Sequence, residues 1–169
     1  SFVREPTDPQ DEIRIQQLLD AYPRIGDLAI KGSENPNLMP KGAITVRMHS
    51  VGGWGAITTG KNLAMTLFEL LGFDIKANPK YGSEKKGQPT TYYLSAAPEH
   101  IRLNCEYTYV DVVLSPDPNV FHHSNPLAGL DNGGVFIIQS CLGDADQVWA
   151  SFPVQAQRYI IEHGIKCFF

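Results

Sequence analysis

The feature that most limits how this chain can fold is a strand that runs into a glycine turn and then into a helix. Residues from Ala43 to His49 alternate, with Ile44, Val46 and Met48 on one face, which predicts a strand. Gly52-Gly53-Trp54-Gly55 follows directly. Ile57, Ala64, Leu67, Phe68 and Leu71 then recur at three- and four-residue spacing, which predicts a helix that Gly72 closes. Gly60 falls on that stripe, where the missing side chain lets the helix lie close to a sheet. Such a corner is a ready cradle for an anion, because glycines admit close approach and N–H groups at the helix start point outward. An equal reading is that the glycines serve only tight packing of strand, turn and helix.

Downstream the strand–helix alternation continues. Short strands are predicted near Phe73–Lys76 and Thr90–Ser95, with a polar loop from Tyr81 to Pro89 between them. Tyr109 to Leu114 is apolar except for Asp111, and Val135–Gln139 is similar, as buried strands require. Ala145 to His163 has helical character interrupted by Pro153, which predicts two helices, and Gly164 precedes a last strand. Buried strands alternating with helices imply a three-layer α/β/α fold with a mostly parallel central sheet.

The first forty residues differ. Asp8-Pro9 opens a helix with Ile13, Leu18 and Leu19 as apolar positions, ending near Pro23, and residues 31–37 read as linker. The expected organisation is an N-terminal helix and linker arm over 1–41, then an α/β domain over 42–169. The start at Ser1 and the apolar ending Ile165-Lys166-Cys167-Phe168-Phe169 read as cuts in a longer polypeptide.

Composition removes several classes. Among 169 residues, 43% hydrophobic and 19% charged suit one core-bearing domain. A net charge of −4 and a pI near 5.7 argue against nucleic acid as the partner. Cys105, Cys141 and Cys167 are few and far apart, which argues against a zinc or iron–sulfur site held by this segment alone. No apolar run reaches the roughly 18–20 residues of a membrane span, and no signal peptide is visible. A cytoplasmic location is expected.

Two phosphate motifs nearly match the corner. Gly55 to Asn62 has the G-x4-G-K skeleton of a P-loop, but Asn62 stands where a magnesium-binding hydroxyl belongs. Gly53-Trp54-Gly55 begins a dinucleotide fingerprint, but Thr58 takes the third glycine position, and Asp74 lies at the start of the next strand rather than its end. His49 beside the turn is a candidate ligand or a core histidine bonded to backbone. His122-His123 is better suited to a loop or helix start than to metal, Asp111 is a candidate perturbed carboxylate, and Cys141 a candidate reactive thiol without a visible base.

Four segments in order carry a resemblance. His49-Ser50-Val51-Gly52-Gly53-Trp54-Gly55 with the helix start Ala56 to Ala64 is the first, and Tyr81-Gly82-Ser83-Glu84-Lys85-Lys86-Gly87 the second. Val112-Val113-Leu114 followed by Gly133 to Ile138 is the third, and Phe152-Pro153 before the last helix and strand the fourth. From Gly42 to Phe169 the chain resembles the gamma domain of pyruvate and other 2-oxoacid:ferredoxin oxidoreductases. It departs from the family pattern at Ser50 for glycine, Trp54 for a polar residue and Lys86 for arginine.

The resemblance implies a part of a thiamine diphosphate-dependent enzyme, not catalytic alone, that supports oxidative decarboxylation of a 2-oxoacid to an acyl-CoA. It implies alpha- and beta-type domains as partners, with a ferredoxin-like acceptor reached through them. Thiamine diphosphate, magnesium and iron–sulfur clusters are expected on those other parts, and none of them on this domain. It implies a coenzyme A or inter-domain surface at Gly52, Gly53, Trp54, Gly55 and Thr58, with Lys85 and Lys86 supplying positive charge. A stand-alone nucleotide- or phosphate-binding domain and a pure interaction domain are the alternative readings.

Overall fold

The computed structural model describes residues 9–24, 38–81 and 87–169. The chain forms two compact units: helix α1 (Pro9–Ala21) belongs to one, and the α/β body that begins at Leu38 belongs to the other. In α1, Gln16 Nε2 donates to Asp20 Oδ1 at 2.8 Å, one turn apart. The predicted linker at 31–37 and the lysines Lys85 and Lys86 lie outside the described residues.

The body is built in the order β1 (Ile44–Val51), α2 (Ala56–Leu71), β2 (Asp74–Tyr81), β3 (Pro89–Ala97) and β4 (Val110–Ser115). A short 3-10 turn (Val120–His122), β5 (Leu130–Ile138), α3 (Ala145–Ser151), α4 (Val154–Glu162) and β6 (Lys166–Phe168) complete it. The sheet order is β2-β3-β1-β4-β5-β6. Strands β1, β4, β5 and β6 run parallel, whereas β3 is antiparallel to both β1 and β2. The fold is thus α/β with a mixed, mostly parallel sheet. Strands β2 and β3 are longer than their apolar content implies, because a hairpin pairs Tyr81 with Thr90 and extends the ladder through polar residues.

Alternation along β1 divides the sheet into two faces. Val46 and Met48 share one face with Tyr92 and Leu94 of β3, and α2 packs there. The buried stripe of α2 is Ala56, Gly60 and Ala64, with Ile57, Leu63 and Leu67 beside it. Phe68 and Leu71, expected on that stripe, are exposed, because the small residues let the helix settle on its Ala/Gly ridge instead. Gly72 takes a left-handed conformation and caps the helix, donating to Phe68 O. On the other face α3 and α4 bury Val148, Phe152, Ala156 and Ile160 against Val113, Phe136 and Ile138. Pro153 separates the two helices as expected, standing at the N-cap of α4.

Gly60 shows why the α2 face is so close. A Cβ there would meet ring atoms of Tyr92 at 2.4, 2.6 and 2.8 Å. Tyr92 is only 2% exposed and has nowhere to move. Gly60→Ala therefore loses more in strain than the ~1 kcal/mol of helix propensity it gains. A net destabilisation of about 2 kcal/mol is expected in urea titration; a stabilised variant would show that the ring can yield.

Helix α2 packs mainly on β1, β2 and β3, with Val112 and Leu114 of β4 at the margin of the same cluster. On that face no described helix of the body lies over β5 and β6. Leu114 and Val135 are half-buried there, and Ile137 and Phe168 are exposed.

Candidate functional site

Strand β1 ends at the middle of the sheet, and its exit decides the site. The chain leaves to α2, β2 and β3 on one side, then returns to β4 on the other, so the winding reverses between β1 and β4. In open α/β sheets the crevice beyond the carboxyl ends at such a reversal is where ligands fit. The glycine turn stands at that point.

Trp54 N–H donates to Val51 O at 3.3 Å, closing the turn. Gly53 (φ 100°) and Gly55 (φ 83°) both need the left-handed region, and a Cβ at either would meet nothing within 4 Å. Backbone conformation, not crowding, is what demands glycine here. Two backbone bonds tie the turn to the β2–β3 loop: Gly52 N–H to Gln88 O at 2.8 Å and Gly87 N–H to Gly52 O at 3.2 Å.

Gly55 caps α2 without a side-chain hydrogen bond, and the first turn holds no acidic residue. The first helical bond shown is Thr59 N–H to Gly55 O at 2.9 Å. Helix geometry leaves the N–H groups before it without intrahelical acceptors and places positive partial charge there. A pocket of about 400 Å³ opens at this end, lined by Gly52, Gly53, Gly55, Ala56, Thr58 and Thr90 among others. It is a backbone-lined, electropositive concavity.

A second pocket of about 340 Å³ lies on the other side of Ala56, against the reversal point. Trp54, Met48, Leu114, Ile137 and Phe169 give it apolar walls, and Ser115 and Gln139 supply polar atoms. Trp54 is 52% exposed. The large aromatic thus lines the apolar hollow, while the glycines on either side of it line the first.

The structure brings together five of the seven predicted site residues: Gly52, Gly53, Gly55 and Thr58 at the first pocket and Trp54 at the second. Sequence reasoning missed Thr90, Leu114, Ile137 and Phe169, which only strand pairing carries to the same edge. Asp74 accepts Ile101 N–H at 2.7 Å and pairs with His100, at the end of the sheet opposite the turn, so it is not a dinucleotide carboxylate for this corner. Asp111 accepts from Thr45 N–H at 2.7 Å and Thr45 Oγ1 at 2.9 Å, a tie between β1 and β4. Cys141 is exposed, in the segment before α3.

His49 is buried, with its carbonyl accepting from Ser115 Oγ at 3.0 Å and its Nε2 unpartnered. Burial, then the nearby Arg47 and His123, hold its pKa down at about 3, so it is a neutral core imidazole. His123 lies 2.9 Å from Asp117 Oδ2, at ion-pair distance but without a well-aligned hydrogen bond. No group of three or more His, Cys, Asp or Glu residues among the described ones is arranged to hold a metal ion. Nor is any described helix long and apolar enough to cross a membrane.

The model of the pyruvate ferredoxin/flavodoxin oxidoreductase family matches residues 45–167, from β1 to β6. This chain belongs to that family. Among relatives of the family domain, a pyruvate/ketoisovalerate oxidoreductase common subunit gamma from Thermococcus kodakarensis is 33% identical over 97 residues. That match covers 57% of this chain and 52% of the relative. Pyruvate synthase subunit PorC from Methanocaldococcus jannaschii is 28% identical over 113 residues, covering 67% and 63%. The chain spans about half the length of the gamma subunits it matches.

Two solved family structures have the same fold. Pyruvate oxidoreductase subunit PORC from Thermotoga maritima superposes with a TM-score of 0.53 at 23% identity, covering 64% of this chain and 55% of that one. A 2-oxoglutarate:ferredoxin oxidoreductase from Magnetococcus marinus, solved with 2-oxoglutarate, coenzyme A and succinyl-CoA, gives a TM-score of 0.55 at 20% identity. It covers 76% of this chain and 20% of that longer one.

Proposed function

We propose that this chain is the gamma-type domain of a cytoplasmic, thiamine diphosphate-dependent 2-oxoacid:acceptor oxidoreductase, and that its glycine corner contacts coenzyme A. The observation that carries the reading is the family match over the whole sheet, with its glycine turn at the winding reversal. The donor set fits a phosphate. Unclaimed N–H groups at the start of α2, no acidic residue in its first turn and two positive-φ glycines make a surface that an anion can approach closely.

In this reading the N–H groups of Ala56, Ile57 and Thr58 donate to phosphate oxygens. Lys85 and Lys86, just upstream of the Gly87 that bonds Gly52, add positive charge. Trp54 packs on the apolar portion of the ligand. Coenzyme A, when bound, supplies the thiol that accepts the acyl group. In this reading the redox and thiamine chemistry falls to alpha- and beta-type partners. The exposed apolar residues Trp54, Ile137, Phe168 and Phe169 fit contact with such partners.

Calorimetric titration of the chain with coenzyme A at moderate salt tests the ligand, and Trp54→Ala is expected to weaken binding roughly tenfold, about 1.4 kcal/mol. No heat up to millimolar coenzyme A removes the ligand from the proposal. Co-expression with alpha- and beta-type polypeptides tests the assembly through 2-oxoacid-dependent reduction of a viologen dye. A melting temperature raised by ADP or ATP but not by coenzyme A favours the stand-alone nucleotide-binding reading instead.

A further inference from the structure

Behind the glycine corner, on the face opposite α2, lies a polar cluster that the proposed function does not use. Arg47 and His49 project there from β1, both buried. After β4 the chain runs over this face from residue 116 to residue 129, with Asp117, Val120 and Leu127 buried in it. Its far end is held to β1 by Arg47, which donates to Pro126 O at 3.0 Å and to Ala128 O, and its first part is closed on itself. Asp117 Oδ1 accepts Asn119 N–H at 2.9 Å, Oδ2 sits 2.9 Å from His123 Nε2, and Ser115 Oγ donates to Asp117 O at 3.0 Å.

His49 is the weak point under this cover. It is 8% exposed, and its Nε2 finds no hydrogen-bond partner. The charged or titratable groups that act on it are Arg47 on its own strand and His123 on the covering segment, with Asp117 beside His123. Its strand neighbours Thr91 on β3 and Ser115 on β4 carry no charge. A proton on His49 while it is covered would place a cation beside Arg47 and His123 in a site with little water. A neutral imidazole there is tolerated; a charged one is not.

We propose that residues 116–124 form an acid-sensitive flap, hinged where Arg47 holds Pro126 and Ala128: protonation of His49 requires this segment to lift off β1, so proton uptake opens it and alters the apolar pocket that Ser115 and Pro116 help to line. The sign follows from linkage. In the closed form His49 stays neutral down to about pH 3, whereas in an open, hydrated form it titrates near the ordinary histidine value. Between these values the open form binds more protons, so closure is fully stable above about pH 6.5 and weakens as the pH falls. For one proton the change is about tenfold per pH unit.

Amide hydrogen exchange of the whole chain, corrected for the intrinsic pH dependence, tests this. Protection of the Asn119, His123 and Ser124 amides, each bonded within the segment, is expected to fall about tenfold per unit from pH 6.5 to 4.5. The β1–β3 amides are expected to hold their protection. His49→Gln, which keeps the polarity and removes the titration, is expected to abolish the pH dependence. Should that variant fail to fold, the imidazole resonances of the wild-type protein decide. A His49 that titrates near pH 6.5 without faster exchange in 116–124 overturns the proposal, as does equal loss of protection in β1 and β3, which would mean global unfolding.

Discussion

Gly129→Ala is expected to lower the unfolding free energy by about 4 kcal/mol, close to the largest effect a single methyl can have here. Two causes add. Gly129 has φ +75°, a left-handed conformation that costs an alanine roughly 1 kcal/mol or more. The added Cβ would also stand 2.2 Å from the carbonyl oxygen of Thr108, which is backbone and held in place. Gly129 O itself accepts Val110 N–H at 2.9 Å, so the residue cannot retreat without losing the start of β4. Gly133 provides the control. Its φ is +74°, but a Cβ there meets nothing within 4 Å, so Gly133→Ala is expected to show only the conformational cost of about 1 kcal/mol. Urea midpoints followed by far-UV circular dichroism separate the two. Equal midpoints would show that crowding at Thr108 is absorbed and the argument from close approach is wrong.

Arg47→Met should cost a similar amount, about 3–4 kcal/mol, by a different route. Arg47 is 4% exposed, and burial draws its pKa below the ordinary arginine value. Among the described residues no carboxylate pairs with it. Its guanidinium donates instead to three carbonyls: Thr108 O at 3.3 Å, Pro126 O at 3.0 Å and Ala128 O at short range. These carbonyls belong to both segments that flank β4, so one side chain pins the entry to β4 and the approach to β5. Methionine fills much of the volume but leaves Pro126 O, which is buried, and the part-buried Thr108 and Ala128 carbonyls without their donor, at about 1–3 kcal/mol for a buried acceptor, less the relief of removing a buried charge. Arg47→Lys is expected to recover only part of the loss, because a single ammonium cannot fork to acceptors on both sides. Thermal melts of wild type and both variants check the order; a lysine variant as stable as wild type would show that charge alone, not the fork, holds the two segments.

Gly129 and Arg47 also mark how far the sequence could be read. Both sit on the page as anomalies, a glycine in Leu127-Ala128-Gly129-Leu130 and a lone charge between Val46 and Met48. Nothing local says what they meet. The partners of Arg47 lie 61, 79 and 81 residues further along, and no periodicity encodes a contact of that separation. The same holds for the Asp117–His123 pair and for the apolar pocket that unites Trp54 with Ile137 and Phe169. The stripe of α2 was legible to within one flank. Its apolar count placed Phe68 and Leu71 inside, whereas the Tyr92 ring selected the Ala56-Gly60-Ala64 ridge.

The amino-acid sequence alone determined the strand, the glycine corner, the helix that follows and the two helices broken at Pro153. Each depends on torsions and side-chain spacing within a few residues, where positive φ, a missing proline N–H or a 3.6-residue stripe acts directly. Only the tertiary structure decided that β3 runs against its neighbours, that Trp54 shares an apolar pocket with Ile137 and Phe169, and that a buried arginine serves carbonyls rather than acids. Those outcomes depend on which distant strands hydrogen-bond together. Pairing energy is shared by all backbones alike, and residue identity selects among pairings only through the faces they bury.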